Sequence, residues 1–137
     1  MTELEYLRDD AGRVIEASGL NETFDTRALQ SKTFSWGIWR INDCTLHEAV
    51  LGLYSDGLAD YWARITTSDE DDVWLFKRHD LLSSGGDVLF TIPQFNGPNM
   101  VVSGFEYRLL RHRSSNPLHF PPQIFPFVTS VRLTSHC

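Results

Sequence analysis

Glu48–Ile65 reads EAVLGLYSDGLADYWARI, two alternating runs about the turn Ser55-Asp56-Gly57. Alternation of this kind marks strands with one buried face. A three-residue loop with Gly57 in the left-handed conformation predicts a bulged hairpin that pairs Tyr54 with Leu58. That register sends Ala49, Leu51, Leu53, Ala59, Tyr61, Ala63 and Ile65 to one face, nearly all of them apolar. The other face carries Glu48, Val50, Gly52, Tyr54, Leu58, Asp60, Trp62 and Arg64. The first face is core. The second, half aromatic and half charged, suits a ligand cavity or a mixed surface.

Working outward from the hairpin, FSWGIWRI (Phe34–Ile41) alternates and reads as one strand, with Phe34, Trp36, Ile38 and Arg40 on one side. After the acidic loop Ser68–Asp72 comes the strand VWLFKRHDLL (Val73–Leu82). The turn Ser83-Ser84-Gly85-Gly86 returns the chain through DVLFTIPQF, a second hairpin signal. Asn96-Gly97-Pro98-Asn99 is a turn by composition. Strand-like MVVSGFEYRLL and FVTSVRL bracket NPLHFPPQIFPF, which holds four of the six prolines. Proline lacks the ladder donor, so that segment is no central strand. Its Phe120, Ile124, Phe125 and Phe127 are too apolar for a solvated linker, and it is expected to pack as an irregular plug over an open end of the sheets. Residues 1–31 are densely charged and read as an arm or first hairpin, with Asn21-Glu22-Thr23 as loop. The expectation is an all-β single domain over 32–137, a small barrel or sandwich of about seven to nine antiparallel strands.

The chain has 137 residues, enough for one domain that buries about two thirds of its unfolded surface. A hydrophobic fraction of 42% with nine Phe, four Trp and four Tyr argues against disorder. The formal charge of −6 opposes generic binding to nucleic acid or an anionic membrane. The basic cluster Arg108–Arg113 then reads as the solvated end of a strand. No run approaches the roughly 20 apolar residues of a membrane-spanning helix. The opening MTELEYLRDDAGR puts charges where a secretion signal needs an apolar stretch, so cytoplasmic residence is expected, with secretion as the alternative.

Catalytic motifs are sparse. There is no G-x-S-x-G elbow, phosphate loop or dinucleotide fingerprint, and no His/Cys set has zinc spacing. The acidic loop lacks the glycine that calcium loops use for their sharp turn and reads as solvated. No metal and no cofactor are expected. Cys44 and Cys137 are the two cysteines. A bridge would close a long loop, worth about 4 kcal/mol in the chain-entropy picture, but would not persist in a reducing cytoplasm. On the residues alone, bridge and free thiols stay open.

The mixed face of the hairpin remains. Glu48 lies across from Arg64, so an exposed cross-strand ion pair worth about 0.5 kcal/mol is one account of it. The other is a ligand site lined by Trp36, Trp39, Tyr54, Trp62, Trp74 and Phe125, with Asp60, Arg64 and His79 as acid, base or oxyanion-stabilising candidates.

The segments TFSWGIWRINDCTL (Thr33–Leu46), LYSDGLADYWA (Leu53–Ala63), TSDEDDVWLF (Thr67–Phe76) and PFVTSVRLTSHC (Pro126–Cys137) together resemble an uncharacterised family of small secreted bacterial proteins. The shared marks are an F-x-W opening, a D-C, an SDG hairpin, a D-x-W strand and a terminal H-C, over roughly Lys32–Cys137. The resemblance implies a compact β-rich domain with Cys44 and Cys137 paired. It implies no activity. The leading functional expectation is a β-barrel that binds a hydrophobic small molecule, as a cofactor-independent cyclase or isomerase. The alternative is a non-catalytic module that binds carbohydrate or a protein through exposed aromatics. A homodimer is compatible with either.

Overall fold

The computed structural model describes residues 10–15 and 29–137, with only the backbone for 10–15. Among the described residues, eleven strands form two antiparallel sheets. In the first, β1 (Asp10–Ile15) pairs with β11 (Ser130–His136), and β11 with β6 (Asp72–Leu82). β7 (Val88–Ile92) and β8 (Phe95–Met100) both lie along the other edge of β6. The second sheet centres on β4 (Cys44–Tyr54) and β5 (Leu58–Thr67). Along β4 run β2 (Ser31–Trp36) and β3 (Trp39–Ile41); along β5 run β9 (Glu106–Arg111) and β10 (Leu118–His119). Among the described residues no strand pairing joins the two sheets, so they face one another over a shared core without closing into a barrel. β1 lies in the charged N-terminal stretch; the loop expected at residues 21–23 falls outside the described residues.

The β4–β5 hairpin has the register its alternation dictates. Leu53 pairs with Ala59 and Gly52 with Asp60, Gly57 has φ 89°, and its N–H donates to the Tyr54 carbonyl at 3.0 Å. Ala49, Leu51, Leu53, Ala59, Ala63 and Ile65 have no exposed surface, and Tyr61 almost none.

β-Bulges on β4 and β6 change the inward-facing set elsewhere. On β4, Leu46 pairs with Ile65 and Glu48 with Arg64, which leaves His47 as the extra residue. Its neighbours match the slip: the run expected as one strand from Phe34 to Ile41 is interrupted at Gly37-Ile38, so Phe34, Trp36, Trp39 and Ile41 are all buried and Ile38 is exposed. On β6, Phe76 pairs with Ser135 and Arg78 with Thr134, which leaves Lys77 as the extra residue. Trp74 and Phe76 precede the slip on the inner face; His79 and Leu81 follow it there. A bulge costs one ladder position and re-aims every side chain beyond it.

Asn96-Gly97-Pro98-Asn99 is not a turn. It lies within β8, where Asn96 pairs with Leu75 and Asn99 with Val73 across an irregular step. Proline is tolerated because β8 is an edge strand. Gly97 is required there because a Cβ would come 2.8 Å from the Trp74 carbonyl oxygen.

The proline-rich segment forms β10 and a 3-10 helix, Pro122–Phe127, and packs on the core through part of its apolar residues, with Ile124 partly buried and Phe127 exposed. Phe120 and Phe125 are buried, and the Phe120 N–H donates to the Gly57 carbonyl at 2.9 Å, which seats the segment on the hairpin turn. Lys32 fastens it from the sheet. Its buried ammonium donates to the carbonyls of Phe125 at 2.9 Å and Val128 at 3.0 Å and lies 5.0 Å from the centre of the Phe125 ring. A buried cation needs such a set of acceptors, because carbonyl dipoles must replace its hydration.

Cys44 and Cys137 are disulfide-bonded, their Cα atoms 6.3 Å apart, so the bond ties the end of β11 to the start of β4. Removing a disulfide with so long a loop costs about 2–5 kcal/mol. The double variant Cys44→Ser/Cys137→Ser is expected to unfold in urea with a free energy lower by that amount. An unchanged urea midpoint would show that the core alone holds the two sheets together.

Candidate functional site

The outer face of the hairpin holds the best-defined open cluster of polar and aromatic side chains. Val50, Trp62 and Leu110 are direct cross-strand neighbours on β4, β5 and β9 and make an apolar row, with Leu110 65% exposed. Beside it the Tyr54 hydroxyl donates to Asp60 Oδ2 at 2.8 Å. Gly52 lies opposite Asp60, and a Cβ there would collide with Asp60 Oδ1, so glycine makes room for the carboxylate. Arg113 closes the cluster: its guanidinium sits 4.5 Å from the centre of the Tyr54 ring and binds Asp56 through Nη1–Oδ1 at 3.2 Å and Nη2–Oδ2 at 2.8 Å. That two-point contact lowers the Asp56 pKa and raises that of Arg113. Partial burial, then the bond to Asp60, raises the Tyr54 hydroxyl, which therefore keeps its proton for Asp60.

Arg64 shares this face but does not form the expected pair with Glu48. Its Nη1 bonds Glu106 Oε2 on β9 at 3.2 Å, and Glu106 also takes Arg108 at 3.1 Å. The third strand supplied a carboxylate between two arginines, a position that pairing within the hairpin does not reveal. The two hydrogen-bonded arginines hold the Glu106 pKa down.

His79 is elsewhere. It is fully buried between the sheets, and its Nε2 shares a 2.8 Å hydrogen bond with the Tyr61 hydroxyl. Phe95 stacks on the imidazole at 5.4 Å and 5°, with Phe76 also stacked and the Trp36 ring edge-on at 5.7 Å. His79 Nδ1 and Trp36 Nε1 are buried without a hydrogen-bond partner among the described residues. Tyr61 and Asp60 are neighbours on β5 and point to opposite faces, so the sheet itself separates Asp60 and Arg64 from His79. The three candidates for acid, base and oxyanion stabilisation are not brought together.

The aromatic candidates divide in the same way. Trp36, Trp39, Trp74 and Phe125 are buried core, with Trp39 edge-on to Trp74 at 5.9 Å and Trp74 Nε1 donating to Ser135 Oγ at 3.0 Å. Tyr54 and Trp62 lie half-buried on the outer face. The basic cluster also separates: Arg108 joins Glu106, Arg113 joins Asp56, and Arg111 turns inward over Phe95.

Two groups that the linear reading missed involve the acidic loop. Asp43, Asp69 and Asp72 bring one carboxylate oxygen each within 4.8 Å of one another, and Asp72 similarly meets the disulfide sulfurs of Cys44 and Cys137. Asp43 comes from the turn before β4, so spacing within Ser68–Asp72 could not include it. Asp72 accepts from Thr67 Oγ1 at 2.9 Å, and the bonded sulfurs are no thiolate ligands. On the outside of the other sheet Asp80, 2% exposed, accepts from Arg132 at 2.9 Å and Thr91 at 2.8 Å. That is a satisfied structural pair.

The architecture and this face define a two-sheet all-β domain with a packed interior and an open aromatic–carboxylate surface. Residues 50–137 match a family of unknown function, DUF6294, and the chain belongs to that family. The match takes in the SDG turn, the D-x-W strand and the terminal H-C, while the F-x-W and D-C motifs precede it. No curated protein and no solved structure matches the chain.

Burial pulls the His79 imidazole down from 6.5 to about 3, an effect the nearby Asp80 carboxylate opposes only in part. In the unfolded chain this imidazole takes up a proton below its ordinary value, whereas in the fold it stays neutral to about 3. The stabilisation is complete above the unfolded value and is lost as pH falls through that window, at about 1.4 kcal/mol per pH unit. His79→Gln keeps a partner for Tyr61 but does not titrate. Its urea stability measured from pH 7 to 4 is expected to fall less steeply than that of the native protein by about that slope; parallel curves would refute the neutral buried imidazole.

Proposed function

We propose that the protein is a non-catalytic binding module that presents the outer face of the β4–β5 hairpin to carbohydrate. One observation carries the reading: Trp62, flanked by Val50 and Leu110, lies beside a carboxylate, Asp60, that the Tyr54 hydroxyl holds in place at 2.8 Å. Asp60 and Trp62 are two residues apart on one strand face, about 7 Å. A pyranose ring offers an apolar C–H face to stack on an indole and hydroxyls at its rim to donate to a carboxylate. Such a surface supplies both contacts without a deep cavity.

What supports this over a cyclase or isomerase is the division of the candidate residues by the sheet, with Asp60 and Arg64 outside and His79 within a packed aromatic cluster. Cofactor-independent catalysis of that kind needs an enclosed, dry cavity with the polar groups converging on it. The Cys44–Cys137 bond adds to the binding reading, because disulfides persist in oxidising compartments, where extracellular glycans are met.

A glycan array followed by calorimetry on the tightest ligand tests the proposal. Trp62→Ala and Asp60→Asn are each expected to weaken that ligand about tenfold or more, since a hydrogen bond to a charged group is worth about 1.5–3 kcal/mol. Gly52→Ala, which displaces the Asp60 carboxylate without touching it chemically, is expected to give a loss similar to Asp60→Asn. The proposal fails if no glycan binds, or if these variants bind as the native protein does.

A further inference from the structure

A groove lies on the opposite side of the same sheet. Arg111 pairs with Tyr61 and therefore faces inward, toward the other sheet. Its guanidinium lies 5.5 Å from the centre of the Phe95 ring and lines a groove of about 210 Å³ with Ile92, Phe95, Pro117, Leu118 and His119. An inward arginine on an edge strand discourages edge-to-edge pairing, and its stacking on Phe95 is a favourable contact. Neither explains its missing counter-charge. Arg64, Arg78, Arg108, Arg113 and Arg132 each meet a carboxylate, whereas among the described residues Arg111 and the solvent-exposed Arg40 meet none, and of these two only Arg111 faces inward.

The guanidinium is also pre-set. Nε donates to the Asn116 carbonyl at 2.8 Å and Nη2 to the Pro117 carbonyl at 3.3 Å, which uses one edge of the planar group. The Nη1–Nη2 end keeps one N–H on each nitrogen, the fork that matches a carboxylate in two-point contact. Beside it stand Ile92, Phe95 and Leu118, all buried residues whose edges form an apolar wall. The volume is below the roughly 300–1,000 Å³ of sites for drug-sized ligands, so a single ring with one small substituent suits it.

We propose that this groove binds a small aromatic carboxylate, with the ring on the Phe95–Leu118 wall and the carboxylate on the free fork of Arg111. The site is independent of the carbohydrate face, because Arg111 and Trp62 point to opposite sides of the second sheet.

The probe is benzoate, with benzamide as its neutral isostere, titrated to tens of millimolar into the isotopically labelled full chain and followed by amide chemical shifts. Benzoate is expected to move the amides of Gln94, Phe95, Arg111 and Leu118. Benzamide is expected to bind about tenfold more weakly, and Arg111→Gln to lose about the same for benzoate, with Arg111→Lys between the two. Equal binding of benzoate and benzamide would overturn the proposal, as would shifts confined to other regions or no shifts at all. The comparison of the two probes on the native protein decides the matter even if Arg111→Gln disturbs the loop at Asn116.

Discussion

A strand sends successive side chains to opposite faces, and the core of this domain depends on slips in that alternation, among them those at His47 on β4 and Lys77 on β6. The first slip, matched by the break at Gly37-Ile38, lets Trp36 and Trp39 both face inward although they are three positions apart along the chain. The second lets Phe76 and His79 do the same. With these four rings joined by Tyr61, Trp74 and Phe95, the space between the sheets is closed by edge-on and stacked contacts. In a continuous alternation His79 would face solvent and Trp39 would lie on the outer face.

Among the described residues, the outer face of the hairpin and the inner side of β9 each hold polar groups fixed by hydrogen bonds. On the outer face the organisation is local: Gly52 vacates the space that Asp60 occupies, and Tyr54 and Arg113 fix that carboxylate and its surroundings. On the inner side of β9 it is non-local, since Arg111 of one sheet is steadied by the loop that follows it and stacked on Phe95 of the other. The two sites share a strand pair yet lie on opposite sides of it.

Two side-chain links add to the sheet pairing at the ends of the domain. Lys32 spans from β2 to the carbonyls at the end of the 3-10 helix, and the disulfide joins the start of β4 to the end of β11. Both are long-range, with a sequence separation of 93 for Lys32–Phe125 and for Cys44–Cys137. A lysine on a strand carries no sign in sequence that its ammonium is buried, so Lys32 was legible only as an ordinary charged residue.

Local pattern determined what depends on neighbours in the chain. The alternation of Glu48–Ile65 and the glycine of its turn set the hairpin register and the division of its faces. Composition placed the proline-rich segment, and the spaced motifs placed the chain in its family. Tertiary structure decided whatever depends on a partner far along the chain. A bulge is chosen by the two strands that flank it, so the positions of Trp39 and His79 could not be read from alternation alone. Gly97 and Pro98 read as a turn by composition, yet they lie in an edge strand, where proline is tolerated and Gly97 makes room for the Trp74 carbonyl. Arg64 found Glu106 on β9 instead of Glu48 across the hairpin, since only the assembled sheet brings that third strand alongside. Local sequence acts over one or two residues of backbone geometry, whereas a site is made by side chains that only packing brings within a few ångströms.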